Sequence, residues 1–449
     1  MRPALCAALA LAAALSPSAR GADDLLTIYR AVMTQAPAHL AAQASLEAEA
    51  QRLAQARSAR LPSLDLTASR ARHGAERQIT PLTGSPTSEH LAYGSAAYSL
   101  NARLPLYRPA QHAQVEIARA QTHSAAAELR QARQDLAART VAAYCDALSA
   151  REESALIAAQ RQTVEEQLAA ARAAQKAGYG TRIDVDEATA QLDLLTVQAL
   201  EQAERQDEAL RTLHTLMGRA PEALAPLRAT GADSPPPADE NLEHWLARAE
   251  AANPLLAKLA HQLDAQEQEA ARARAAHLPT LDLVAALGHS NNDNVANQGS
   301  YRALDSRSHS IGVQLTLPLY AGGGPAARQD EVAARTQALR HQHEDVRRQI
   351  RQQVSREWAL LGQFAARIRA LRQAEHSSAQ LALAARKGVE GGLRTTWDVL
   401  QAEQQRYRLR RDRALARHDW IAARSRLLAA ADALDDTEIS RMNGWFGEP

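Results

Sequence analysis

The residue types able to do chemistry in this chain are few, and none is spaced for it. Gly322-Gly323-Gly324-Pro325 has the glycine density of a phosphate cradle. A phosphate loop also needs fixed glycine spacing and a following Lys-Ser/Thr, which this segment lacks. It is therefore expected to be a turn opening a helix. His341-Gln342-His343-Glu344 offers metal-ligand side chains, but on a helix residues two apart face different directions, so a solvated face is expected. The two cysteines are Cys6 and Cys145, and no Ser/His/Asp or Cys/His arrangement stands out. Nothing here supports an enzyme, a metal site or a cofactor.

The elements around these residues say more. Residues 1–22 are expected to be a secretory signal: Arg2, an apolar run from Ala4 to Leu15, then small residues up to a cleavage between Ala19 and Ala22. No lipobox surrounds Cys6. Cys145 is then alone in the mature chain, cannot form an internal disulfide, and is expected as a small apolar residue on a helix. Net charge is +1 with 23% charged residues, so nothing points to nucleic acid. No later window approaches 18 apolar residues, the length a membrane helix needs. Of the 46% hydrophobic residues much is alanine, and only Phe364 and Phe446 are phenylalanine. That composition suits close helix-on-helix packing.

The chain says nearly the same thing twice. Pro37 through Leu66 returns as Pro254 through Leu283 at a constant offset of 217, including Leu61-Pro62-Ser63-Leu64-Asp65-Leu66 and Leu278-Pro279-Thr280-Leu281-Asp282-Leu283. Leu104-Pro105-Leu106-Tyr107 returns as Leu317-Pro318-Leu319-Tyr320 at 213, and Gly178 through Ala188 as Gly392 through Ala402 at 214. One architectural unit was duplicated.

Each unit contains a rod. Val115, Leu129, Leu136, Ala143, Ala150, Ile157, Val164 and Ala171 keep one heptad register, and Ile350, Val354, Leu361, Phe364, Ile368 and Leu371 alternate steps of three and four. Helices are expected over 111–177 and 326–387, each about 90–100 Å long at 1.5 Å per residue. Glycine clusters around Gly178 and Gly180, and around Gly391 and Gly392, end the rods. A return helix from Asp184 or Asp398 covers half of each rod. A helix over about 24–60 or 240–277 covers the other half.

Between half helix and rod lie alternating segments. Leu64, Leu66 and Ala68 alternate with Asp65, Thr67 and Ser69; Leu100 with Ser99 and Asn101; Val313 and Leu315 with Gly312, Gln314 and Thr316. Period two over about ten residues is a weak signature of outer-membrane strands. Surface hairpins on a soluble protein would give the same pattern, and the signal peptide and rods favour the membrane reading. Leu64, Leu66, Leu100, Val313 and Leu315 are expected to face lipid, with His73–Glu89 and His289–Ser308 as hairpin tips. Membrane barrels start at about eight strands, so four strands require several chains to share one. The expected organisation is a first repeat over 23–229, a Pro-rich linker over 230–241, a second repeat over 242–434 and a tail over 435–449.

This order of elements resembles the TolC family of outer-membrane efflux and secretion channels, over essentially the whole mature chain. Gly178-Tyr179-Gly180-Thr181-Arg182-Ile183-Asp184-Val185 and Gly392-Leu393-Arg394-Thr395-Thr396-Trp397-Asp398-Val399 carry it most specifically. Ala433-Leu434-Asp435-Asp436 through Asn443 is similar to the end of the type I secretion branch. The resemblance implies a mainly α fold with a β-barrel part: a homotrimer with a shared twelve-strand barrel in outer-membrane lipid and a helical tunnel through the periplasm. It implies a periplasmic adaptor and an inner-membrane ABC or RND-type transporter as partners.

It also implies an aperture at the glycine turns. Asp184, Arg394 and Asp398 match the family's aperture positions, while Val389 replaces a tyrosine tie and Gln401 the aspartate of a second acidic ring. The lesser alternative, on the residues alone, is that Asp184 and Asp398 are only acidic helix starts. Cargo stays open between a protein exported by type I secretion and a drug or metal ion in efflux. A periplasmic coiled-coil adaptor is the less favoured alternative, since it would lack the strands.

Overall fold

The computed structural model describes residues 23–80, 82–228, 241–293 and 303–447. The expected signal peptide and residues 230–240 of the expected linker lie outside the described residues. The first repeat runs α1 (Leu25–Gln35), α2 (Pro37–Ser58), β1 (Ser63–Ile79), β2 (Thr87–Tyr107), α3 (Pro109–Lys176) and α4 (Arg182–Met217). The second runs α5 (Leu242–Ala252), α6 (Pro254–Ala275), β3 (Thr280–Asp293), β4 (Ala303–Thr316), α7 (Gly324–Glu390) and α8 (Thr396–Ala430), followed by α9 (Asp436–Asn443).

Each expected half helix is in fact two. Ala36 and Asn253 are extended, with ψ near 120° and 123°, because a proline ring excludes the helical region for the residue before it. Pro37 and Pro254 then open the next helix, where a missing N–H costs nothing. The tail also differs from expectation. Residues 436–443 form α9, capped by Asp435, with Ile439 and Met442 fully buried.

The chain divides into two compact units. The first (residues 1–44, 127–257 and 344–449) holds an apolar core drawn from α1, α3, α4, α5, α7, α8 and α9. Cys145 lies in it, 1% exposed, and burial pushes its thiol pKa up. Each return helix packs on the later half of its rod: Val164 and Leu168 of α3 meet Ala188 and Leu195 of α4. Ala382 and Ala385 of α7 meet Val399 and Ala402 of α8.

In the second unit (residues 45–126 and 258–343) the other halves of the rods are covered. Ala56 of α2 packs on Val115 and Ala118 of α3, and the Thr122 hydroxyl donates to the Glu49 carbonyl. Arg328 and Arg340 of α7 pair with Glu269 and Glu267 of α6. The strands form one antiparallel sheet in the order β1-β2-β3-β4. They are longer than expected. Pairing continues through Ile79↔Thr87 and Asp293↔Ala303, so most of the segments expected as tips are strand.

Candidate functional site

The ladder decides which side chains share a face. Leu66 lies opposite Leu100, Leu100 opposite Leu287, and Leu283 opposite Val313. Paired residues point to the same side. Leu64, Leu66, Leu100, Val313 and Leu315 therefore stand on one apolar face, joined by Tyr98, Leu104, Leu281, Leu283, Leu287 and Ile311. Most of these side chains are exposed: Leu66 at 73%, Val313 at 62%, Leu315 at 67%. The other face carries Asp65, Thr67, Ser99, Asn101, Asp282 and Gln314. No helix of the described residues is long and apolar enough to cross a membrane.

One ion cluster sits on the polar face, and sequence reasoning missed it. Asp282 of β3 is 2% exposed. It accepts from Arg103 of β2 at 2.6 Å and from Arg108, between β2 and α3, at 2.8 and 2.6 Å. It thus clamps the strand pair to the start of the rod. Arg108 has no counterpart in the second repeat, where the same position is Ala321, so the repeat itself hides the clamp.

The glycine turns are built alike. At the end of α3, Tyr179 and Gly180 both donate to the Ala174 carbonyl; at the end of α7, Leu393 and Arg394 donate to that of Gly388. Gly178 and Gly392 have φ of +85° and +71°, a region costly for residues with a Cβ. Gly391 has no such φ. Close approach requires Gly180, where a Cβ would meet the Gln175 backbone nitrogen at 2.7 Å, and at the second turn Gly388, where it would meet the Arg394 side chain at 2.7 Å.

Asp184 and Asp398 each close a capping box. The Thr181 N–H donates to Asp184 Oδ2 at 3.0 Å, and the Asp184 N–H donates back to Thr181 Oγ1 at 3.2 Å. Thr395 and Asp398 repeat this at 2.9 and 3.2 Å. Two orphan donors of each helix start are thereby satisfied. The Thr395 N–H and hydroxyl hold the Asp398 carboxyl below the usual carboxylate range. Arg394 lies 3.9 Å from Asp398. Together with Gln401 and Arg408 they line a cavity of about 380 Å³. Val389 packs on the apolar cluster of Ala382, Ala385, Val399 and Ala402. Asp184 belongs to the other turn.

Two further contacts near the turns were not foreseen. Glu403 of α8, 4% exposed, is held by Arg386 of α7 at 2.8 Å and by Arg406 at 3.4 Å. Tyr407 of α8 shares a hydrogen bond with Thr163 of α3. The sequence signals are the one glutamate and the one tyrosine of α8. Glu344, the acidic member of the histidine cluster, is occupied by Arg347 and Arg348.

The decisive comparison is with known families: the outer membrane efflux protein model matches residues 28–219 and 245–432. The chain belongs to this family. Its members are outer-membrane channels that span the periplasm, and this chain is one. It is similar to the alkaline protease secretion protein AprF of Pseudomonas aeruginosa, 30% identical over 92% of this chain and 85% of that protein. It is similar also to the proteases secretion protein PrtF of Dickeya chrysanthemi, 30% identical over 79% and 76%. The solved outer-membrane channel OprN shares the fold, with a TM-score of 0.77 at 19% identity over 91% of this chain and 90% of that one. This efflux family accounts for both halves of the repeat.

Proposed function

We propose that this outer membrane efflux protein is the homotrimeric exit duct of a type I secretion system for proteins. A periplasmic adaptor and an inner-membrane ABC transporter would feed it. The observation that carries the reading is the four-stranded sheet with one apolar face and two unpaired edges. Open edges are not tolerated in hydrocarbon, and three such sheets make a barrel of twelve strands. The apolar face meets lipid and the polar face lines the pore. Glycine-rich turns at the far ends of the rods form the periplasmic aperture, with Asp184, Arg394, Asp398 and Gln401 around it and Val389 sealing the coil beneath. The two relatives at 30% identity are named for protease secretion, which supports a protein cargo.

Deleting the chain and comparing culture supernatants tests this. Loss of a secreted protein with unchanged drug and metal susceptibility is expected. Normal secretion with increased susceptibility would assign the duct to small-molecule efflux instead. A crosslinked pull-down from intact cells would identify the adaptor and transporter.

A further inference from the structure

The hairpins of the two repeats are paired in the same register once the repeat offsets are applied. Ser63↔Arg103 becomes Thr280↔Thr316, Leu66↔Leu100 becomes Leu283↔Val313, and Ala68↔Tyr98 becomes Ala285↔Ile311. The sheet thus obeys the internal symmetry at every hairpin pair described in both repeats. The middle ladder, β2 with β3, has no symmetric counterpart within one chain. That counterpart is β4 of one protomer with β1 of the next.

We infer that the protomers join through β4 and β1 in the register of the middle ladder, locked by Glu76 of one protomer opposite Arg307 of its neighbour. Carrying Leu104↔Leu283 and Arg103↔Val284 through the offsets puts Leu317 opposite Leu66 and Thr316 opposite Thr67. Asn101↔Ala286 puts Gln314 opposite Ser69. The observed ladder ends at Ser95↔Asn292, which maps to Ser308 opposite Ala75. One further step in the same register sets Glu76 against Arg307, both exposed and on the side of the apolar face. Among the described residues Arg307 has no ion-pair partner, and Glu76 has one, His90 at 3.5 Å.

Charge excludes the neighbouring registers. A slip of two residues in one direction would face Glu76 with Asp305, a like-charge pair directly opposed, which destabilises a ladder. A slip the other way faces it with His309 and leaves Arg307 against Gln78. A slip of one residue turns every apolar side chain to the wrong face. Only the symmetric register opposes a glutamate to an arginine while keeping both faces intact.

The inference rests on the trimeric reading, and the test separates the two. Full-length channels carrying Cys145→Ala are given the pair Thr67→Cys and Thr316→Cys, and oxidised in outer-membrane vesicles. Directly opposed positions bring Cβ atoms about 4.5–5.5 Å apart, against about 7–8 Å on the diagonal, and a disulfide needs the shorter reach. Covalent trimers are expected on non-reducing denaturing gels, forming about tenfold faster than with Thr67→Cys and Gln314→Cys, or with Ser69→Cys and Thr316→Cys. Faster linkage of either offset pair in a trimeric protein would overturn the register and leave the trimer standing. No linkage in any pair, with a single-chain mass in detergent, would overturn both. Glu76→Arg and Arg307→Glu should each lower the temperature at which the trimer dissociates in SDS, and the double exchange should restore most of the loss; failure of that restoration would remove the charge lock.

Discussion

Tyr407 and Thr163 stand 244 positions apart and share a hydrogen bond of 3.2 Å between their hydroxyls. The contact links α8 of the second repeat to α3 of the first, on the glycine-turn side of the unit core. Arg411 and Glu153 add an ion pair at 3.8 Å between the same two helices. If the coiled pairs swing apart to open the proposed tunnel, they must break such ties. They are polar and half-buried, so each can be released at modest cost, unlike an apolar seam.

Tyr407→Phe should therefore ease opening without unfolding the helices. Losing one such hydrogen bond costs about 1 kcal/mol. In planar bilayers, single-channel conductance should rise, and Thr163→Val should do the same. The double variant should add little, because both remove one contact. Additive increases would mean that the two hydroxyls act separately.

The clamp at the foot of the strands should be asymmetric. Asp282 is 3% exposed in its side chain, while Arg103 is 49% and Arg108 25% exposed. Arg108→Ala removes two of its three hydrogen bonds and should destabilise by about 2 kcal/mol, below the range for fully buried pairs because solvent screens the arginines. Arg103→Ala should cost less. The heat needed to unfold the SDS-resistant form measures both, and equal effects would refute the ranking.

Much of this architecture was legible in the sequence, for a physical reason. A duplicated unit prints its offset in the chain, heptads print the buried seam of α3 and α7, and period-two alternation prints the faces of β1 to β4. What stayed hidden was carried by the backbone or by distant pairs. His73 to Ile79 lacks apolar alternation and reads as loop, yet ladder bonds need only backbone groups. Pro37 and Pro254 were visible as repeat markers, but that each divides a helix follows from the conformation forced on Ala36 and Asn253. The Arg108–Asp282 and Thr163–Tyr407 contacts join residues whose separation no local pattern records.

Lipid exposure predicts a sharp contrast between neighbours. Leu100→Arg or Val313→Arg should cost about 2–4 kcal/mol near the bilayer midplane, and Asn101→Arg or Gln314→Arg on the opposite face far less. Refolding into detergent-lipid mixtures reads the difference. Equal losses on both faces would mean that the sheet does not lie in lipid.

The C-terminal helix should be an acid-sensitive latch. Asp436 accepts from the Tyr29 hydroxyl at 2.9 Å and from the Arg133 guanidinium at 2.7 Å, and both hold its carboxyl below the usual carboxylate range. A depressed folded pKa gives stability that is present above the ordinary carboxylate value and lost as pH falls through the lowered one. Relative to the intrinsic exchange rate at each pH, hydrogen exchange across 436–443 should therefore become faster below about pH 4. Asp436→Asn should show that faster exchange at neutral pH, with a flatter acid response; an unchanged profile would mean Asp436 does not secure the helix.

The two roles of Asp398 can be separated. As a cap it works through Thr395, and Thr395→Ala should weaken the start of α8 by about 1 kcal/mol while leaving the carboxylate in place. As part of a three-fold ring it works through its charge, focusing potential in a narrow aperture. Asp398→Asn retains an oxygen that can accept from Thr395 but removes that charge. If the ring shapes conduction, Asp398→Asn lowers cation preference in planar bilayers and Thr395→Ala does not. Arg394→Ser, which frees the carboxylate from its partner at 3.9 Å, should raise conductance by loosening the latch. Should currents follow Thr395→Ala and ignore both charge changes, Asp398 is only the start of a helix.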